Sequence, residues 1–263
     1  MIEVFEPTCK KGLGDLKAYK LFLSDQISNL PKNMSKLSIH AGADYFNDSS
    51  NEISQSLYNW ESRNRLIMHR FLMQFDITEF ISDYLFPFAQ DYYHSEVMIS
   101  QIVYIRSETP CNLFHALRPH HDDFGLSMLT FWLPLHDISR STGGICFKTD
   151  ELPTQLITKS VPLANGEADG FLLPYLLFGQ CIVFDSSVLH ASTTSTQVPR
   201  SSIDIRLAPK DEAMQYNTRL KSDYNVNDRG RYIPLGFSSA SSFRTEQLRH
   251  LNRMKTLERM IEF

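Results

Sequence analysis

The 263-residue chain has no pair of neighbouring cysteines that would suggest a metal clip or a redox couple. Its four cysteines, Cys9, Cys111, Cys146 and Cys181, stand far apart. Disulfide frameworks belong mainly to small secreted domains, so these read as free thiols of a reducing compartment. No apolar run approaches the ~20 residues that a membrane-spanning helix needs. The opening MIEVFEPTCKKGLGD lacks the basic start and apolar stretch of a secretory signal. The expectation is therefore a cytoplasmic protein with no membrane partner. Excess positive charge is missing too. Against 30 Asp and Glu stand 26 Lys and Arg, a net charge of −4, which gives no electrostatic footprint for nucleic acid. There is no Gly-x-Ser-x-Gly elbow of a serine hydrolase. Gly143-Gly144 is not followed by the Lys-Ser/Thr of a phosphate loop, so it reads as a turn. Internal repeats and low-complexity linkers are also absent, and nothing divides residues 1–263 into more than one domain.

What the chain does have is enough apolar and aromatic residues, 42% and 12%, to build a substantial core. The first third reads as helical. Residues 13–30 form one candidate helix, and 31–56 are rich in Ser, Asn and Asp and read as loop. From Ser56 to Phe86 apolar residues recur at spacings of three and four, with Pro87 expected to end that helix. This helical part, residues 1–96, is expected to pack on the outside of a sheet structure. From about residue 97 the texture changes to short runs of β-branched and aromatic residues: VMISQIVYIR, SMLTFWLPL, ICF, QCIVFD and SSIDIRL. Such runs between turn residues predict a sandwich or barrel over 97–209 rather than alternating βαβ units. Residues 159–179 read as a long insertion, an active-site lid. Residues 210–263 form a C-terminal extension, polar and irregular for about its first 30 residues. It ends in a helix whose stripe of Leu248, Leu251, Met254, Leu257 and Ile261 is compatible with a homodimer and equally with packing on its own domain. The arginines on that helix read as a solvated face.

The densest chemistry lies in Arg118-Pro119-His120-His121-Asp122-Asp123. On a strand, residues two apart share a face, so His120 pairs with Asp122 and His121 with Asp123. Either pair brings an imidazole and a carboxylate to one point. One further histidine would complete a facial triad of two histidines and one carboxylate, which leaves metal positions open. His190, at the end of the QCIVFD strand region, supplies it. Ten residues later Arg200 opens another strand, on which 200, 202, 204 and 206 share a face, so that Arg200, Ser202 and Arg206 look together into the barrel. A guanidinium grips a carboxylate bidentately, and an arginine buried beside a metal site implies a dicarboxylate ligand. The competing pair His94 and Glu96 precedes the core and reads as a surface loop, while His115 and His136-Asp137 read as loop residues near the rim.

His-x-Asp, a distal histidine, and arginine ten residues on with serine two further resembles the Fe(II)/2-oxoglutarate-dependent oxygenase superfamily, over roughly residues 97–207. TFWLPLHDIS…TGGICF is similar to its phytanoyl-CoA dioxygenase-like branch, and GQCIVFD…LHAS…RSSIDIRL resembles oxygenases of streptomycin-type biosynthetic clusters. The resemblance implies a mainly β fold with flanking helices, built on a double-stranded β-helix (cupin-like jelly roll) with iron at one open end. It implies His120, Asp122 and His190 as iron ligands and catalytic residues, Arg200 on the far carboxylate of 2-oxoglutarate, and Ser202, Gln101 and Arg206 as further cosubstrate contacts. Pro119 directly before His120 favours that register, with His121 and Asp123 as the alternative. The expected cofactors are Fe(II), 2-oxoglutarate and O2. The expected reaction is hydroxylation or desaturation of a small polar metabolite, with 2-oxoglutarate decarboxylated to succinate. The competing expectation is a non-catalytic, cupin-like metal- or ligand-binding protein.

Overall fold

The β-branched and aromatic runs pair into two antiparallel sheets. The computed structural model describes residues 1–5, 81–100, 104–108, 117–122, 125–162, 170–193, 200–223, 236–243 and 245. In chain order the strands are β1 (Ile2–Phe5), β2 (Val97–Ser100), β3 (Tyr104–Glu108), β4 (Leu117–His120), β5 (Leu129–Pro134) and β6 (Ile145–Lys148). They continue as β7 (Ser160–Pro162), β8 (Phe171–Pro174), β9 (Cys181–Asp185), β10 (His190–Ser192), β11 (Arg200–Pro209) and β12 (Phe237–Ser238). One sheet has the order β1-β9-β5-β11-β2-β12, with β3 also on β11, and the other β4-β10-β6-β8-β7. Strand β2 pairs with the Leu207–Pro209 end of β11 and β3 with Arg200–Asp204, so both lie along one edge of that long strand. From β3 to β6 the chain changes sheet at every strand, and from β8 to β11 it does so again, filling the gaps it left. The result is a double-stranded β-helix, the cupin-like jelly roll.

Apolar residues fill two layers, one on each face of the larger sheet. Between the sheets lie Trp132, Ile145, Phe147, Leu173, Ile182 and Phe184. On the outer face Phe131, Leu133, Val183, Ile203, Ile205 and Leu207 pack against Ile81, Leu85, Phe86 and Ala89 of the helical segment. Strand β5 is buried at all six positions. This explains why LTFWLP reads as a continuous apolar run and not as the alternation of a half-exposed strand. Full burial of one such side chain contributes about 1.5–3 kcal/mol. Edge-to-face rings tighten both layers, Phe88 on Phe131 at 5.7 Å and Phe147 on Phe184 at 5.2 Å.

Three sequence expectations need correction. Pro87 does not end a helix. A wide helical turn, Ile81–Leu85, runs into α1 (Phe86–Tyr93), and Pro87 sits in the first turn of α1. Leu85 before it is itself helical, so the proline is carried at the junction of the wide turn and α1 within a continuous helical stretch. Residues 159–179 are not simply an insertion. After a single helical turn, α2 (Thr154–Ile157), residues 160–162 and 171–174 form β7 and β8, paired together, with β8 hydrogen-bonded to β6. Their composition, Pro-rich and short, hides them from period-two reading. The stretch after Pro209 is not irregular either, since α3 (Lys210–Asp223) begins at once. Asp211 and Glu212 stand in its first turn, where the helix dipole favours them. Only Ala213 among its described side chains is fully buried, which leaves almost no apolar stripe to read. The predicted helices at 13–30 and 56–80 and the C-terminal stripe lie outside the described residues.

Among the described residues, no helix is long and apolar enough to cross a membrane. Cys146 and Cys181 are buried and not in a disulfide, and burial pushes the Cys181 thiol up, with the charge of Asp204 adding to it.

Candidate metal centre

Backbone register places two of the histidines. His120 ends β4 and His190 opens β10, and the two are direct partners across the smaller sheet. Their rings lie 4.3 Å apart at 52°. Past His120 the chain leaves the strand and turns Asp122 into the space between the sheets. Its Oδ1 lies 3.8 Å from Nε2 of His120 and 4.0 Å from Nε2 of His190. One ligand atom from each of the three falls within 4.8 Å of the others, and among the described residues no further group of His, Cys, Asp or Glu does this.

Each member is held by neighbours. Thr130 Oγ1, on β5, donates to Asp122 Oδ2 at 3.2 Å. Arg206, on β11, points Nη2 at the same carboxylate, 3.1 Å from Oδ2 and 3.2 Å from Oδ1. Burial by itself would raise the Asp122 carboxyl, but Arg206, the two histidines and Thr130 outweigh it and hold it below the usual carboxylate range. His190 Nδ1 donates to the Val188 carbonyl at 3.0 Å, which leaves Nε2 facing Asp122. The Phe184 ring lies 4.7 Å from the His190 ring, tilted to it by 56°. Burial drives the His190 imidazole down to about 4, against the attraction of Asp122, so at neutral pH it is uncharged.

An ionised carboxylate and a neutral imidazole, both 94% buried, beside a more open His120 form the donor set of a divalent metal site. A carbonyl fixing the far nitrogen of His190 and a cation and hydroxyl orienting Asp122 are the outer contacts such ligands require. The residues therefore fit a bound metal. The side-chain exposure of His120, 34%, marks the open side.

The three side a cavity of about 320 Å³, its open mouth included, whose other walls are Thr130, Trp132, Ile145, Phe184, Ser192, Asp204 and Arg206. Trp132 and Thr130 thus face the cavity and not the helix layer. Asp204 was not singled out from the sequence, although period two puts it between Ser202 and Arg206 on one face of β11. Its position in that alternation was the available signal. Ser192 follows His190 by two on β10 and carries the same signal.

The structure brings His120, Asp122, His190 and Arg206 to one place. Ser202 lies farther along β11, opposite Pro134, fully buried with its Oγ lacking a hydrogen-bond partner, and it is not part of the cavity wall. Arg200 occupies the start of β11 opposite Glu108, in register with the inward face. Gln101 and Asp123 lie outside the described residues. His121 points away from the cluster. It is exposed, and its Nδ1 is 2.7 Å from the Ser187 carbonyl.

No protein-family model matches the chain, and no curated protein matches it significantly. Among solved structures it is similar to the non-haem alpha-ketoglutarate-dependent epimerase SnoN from nogalamycin biosynthesis, with 18% identity over 48% of this chain and a TM-score of 0.34. That match spans only 54% of the SnoN chain. AviO1 from Streptomyces viridochromogenes Tue57 is similar at 14% identity, over 80% of this chain and 90% of its own, with a TM-score of 0.48. EctD from S. alaskensis, solved with 2-oxoglutarate and 5-hydroxyectoine, is similar at 14% identity over 80% of this chain and 73% of its own, with a TM-score of 0.45.

Proposed function

We propose that the chain is an Fe(II)- and 2-oxoglutarate-dependent oxygenase that hydroxylates or desaturates a small polar molecule. The observation that carries this reading is the convergence of His120, Asp122 and His190 at the open end of a jelly roll, one ligand atom from each within 4.8 Å. Two imidazoles and one carboxylate leave coordination positions free, as a non-haem iron oxygenase requires. Iron bound there with 2-oxoglutarate supplies the activation of O2, coupled to decarboxylation of the cosubstrate to succinate and oxidation of the substrate.

The chain's own residues have separable roles. Val188 fixes the tautomer of His190, Thr130 holds Oδ2 of Asp122, and Arg206 bridges both carboxylate oxygens, so that the carboxylate is oriented with Oδ1 nearest the histidines. Trp132, Ile145 and Phe184 give the cavity an apolar side. Arg200 and Ser202 share the inward face of β11 with Arg206. An arginine at that position, two residues before a buried hydroxyl on the same face, suits the far carboxylate of a dicarboxylate cosubstrate. Gln101 joins this set on sequence grounds. The polar wall residues Ser192 and Asp204 support a polar substrate.

The test is anaerobic reconstitution. Wild-type protein mixed with Fe(II) and 2-oxoglutarate should develop the visible charge-transfer band of the chelated cosubstrate, and Asp122→Ala should abolish it. Admitting O2 should then yield succinate. A wild-type protein that shows neither band nor succinate overturns the oxygenase reading.

A further inference from the structure

His121 stands between two residues of the metal cluster and yet turns out of it. Its Nδ1 meets the carbonyl oxygen of Ser187 at 2.7 Å. A carbonyl only accepts, so the ring nitrogen is the donor and the imidazole carries its proton on Nδ1. Ser187 lies three residues before His190. The bond therefore joins the segment that carries His120 and Asp122 to the segment that delivers His190.

Two more contacts follow the same seam. The Ser186 amide donates to the Met128 carbonyl at 2.8 Å, and Ser186 Oγ donates to the Leu126 carbonyl at 3.3 Å. Ser187 in turn bonds the Asp185 carboxylate through both its amide and its hydroxyl. His121, Leu126 and Met128 are thus stitched to Ser186 and Ser187 immediately outside the cluster. His121 supplies the one stitch from a side chain that lies between two proposed ligands.

We propose that His121 is a positioning residue: it latches the His120–Asp122 arm to the His190 arm and so sets the spacing of the ligand atoms before a metal arrives. This rests on the metal reading given above. Strand pairing keeps His120 opposite His190; without the latch the segment beyond β4 that carries Asp122 samples wider positions, and only the fraction of molecules with ligands in place binds metal directly. Apparent affinity falls by that fraction.

Side-chain geometry supplies a discriminating test. The amide nitrogen of asparagine falls where Nδ1 of histidine does, whereas phenylalanine keeps the ring and loses the donor. Co(II) is the probe, titrated into metal-free full-length protein and read by the intensity of its visible d–d bands and by its Kd. Wild type should bind. His121→Phe should bind about tenfold more weakly, at the low end of the range for loss of an outer-shell partner and equivalent to ~1.4 kcal/mol. His121→Asn should restore affinity to within about threefold of wild type. His121 is exposed, so both variants should melt close to wild type in the metal-free state. His121→Ala serves as a second donor-free variant if His121→Phe misfolds. Donor-free variants that bind Co(II) as wild type does overturn the latch. An Asn variant as weak as the Phe variant also overturns it, because the ring and not the donor would then matter. Failure of the wild type to bind Co(II) at all overturns the metal reading itself.

Discussion

Arg206 meets Asp122 with a single nitrogen, Nη2, which lies 3.1 and 3.2 Å from the two carboxylate oxygens. The two residues are 84 positions apart in sequence and both about nine-tenths buried or more. An ion pair so enclosed is strongly felt when one partner is removed, because the other is left charged without compensation. Arg206→Met should therefore destabilise the metal-free protein by about 3–5 kcal/mol. Urea unfolding followed by circular dichroism measures it. The smaller substitution Arg206→Lys keeps the charge but loses the planar guanidinium, and should fall between wild type and Met.

Acid should weaken the metal-free protein through His190. Its imidazole is held down to about 4 by burial, against an ordinary value near 6.5. Between those values the unfolded chain binds the proton and the folded one does not. Stability is then fully present above pH ~6.5 and is lost as pH falls towards 4. Asp122, also held low, extends the loss to more acidic pH. Melting temperatures across this range should decline more steeply for wild type than for His190→Gln. Parallel curves for the two proteins would rule the histidine out as the source.

Phe147 is fully buried between the sheets, edge-on to Phe184 and 6.4 Å from the His190 ring. Phe147→Ala should cost about 3–5 kcal/mol by denaturant titration. Part of that loss comes from the space opened beside His190, so the variant should also bind Co(II) more weakly than its loss of stability alone implies. An unchanged denaturation midpoint would contradict the packing described.

Thr130→Val removes the hydroxyl that donates to Asp122 and keeps nearly the same volume. A hydrogen bond to a charged group contributes roughly 1.5–3 kcal/mol. The variant should lose up to that amount of stability, and its Asp122 should titrate at higher pH. A titration of the carboxyl by NMR in both proteins would show the displacement or its absence.

The jelly roll was readable from the strands because β5, β9 and β11 carry unbroken apolar or alternating runs that local propensity and burial both favour. Its helical surroundings were harder. Proline breaks most helix interiors, yet Pro87 stands where the wide turn Ile81–Leu85 passes into α1 and the helix continues. Helix α3 presents Ala213 and little else to the core, so periodicity had nothing to register. Strands β7 and β8 are three and four residues long and each ends in proline, below the length at which alternation is visible. At the cluster, residue types and spacing led to His120, Asp122 and His190, but alternation could not choose the register. Strand β4 ends at His120, and Asp122 lies beyond it, where a period of two no longer describes which way a side chain faces. Asp204 follows the same alternation as Ser202 and Arg206, but a lone carboxylate on a strand carries no spacing that marks it as part of a site.

Strand β5 lies between β9 and β11, buried on both faces, with Thr130 and Trp132 towards the cavity and Phe131 and Leu133 towards the helices. A strand of this kind acts as a reading frame. A one-residue slip in its pairing with β9 and β11 would exchange the two faces, placing phenylalanine and leucine against the cluster and indole and hydroxyl in the helix layer.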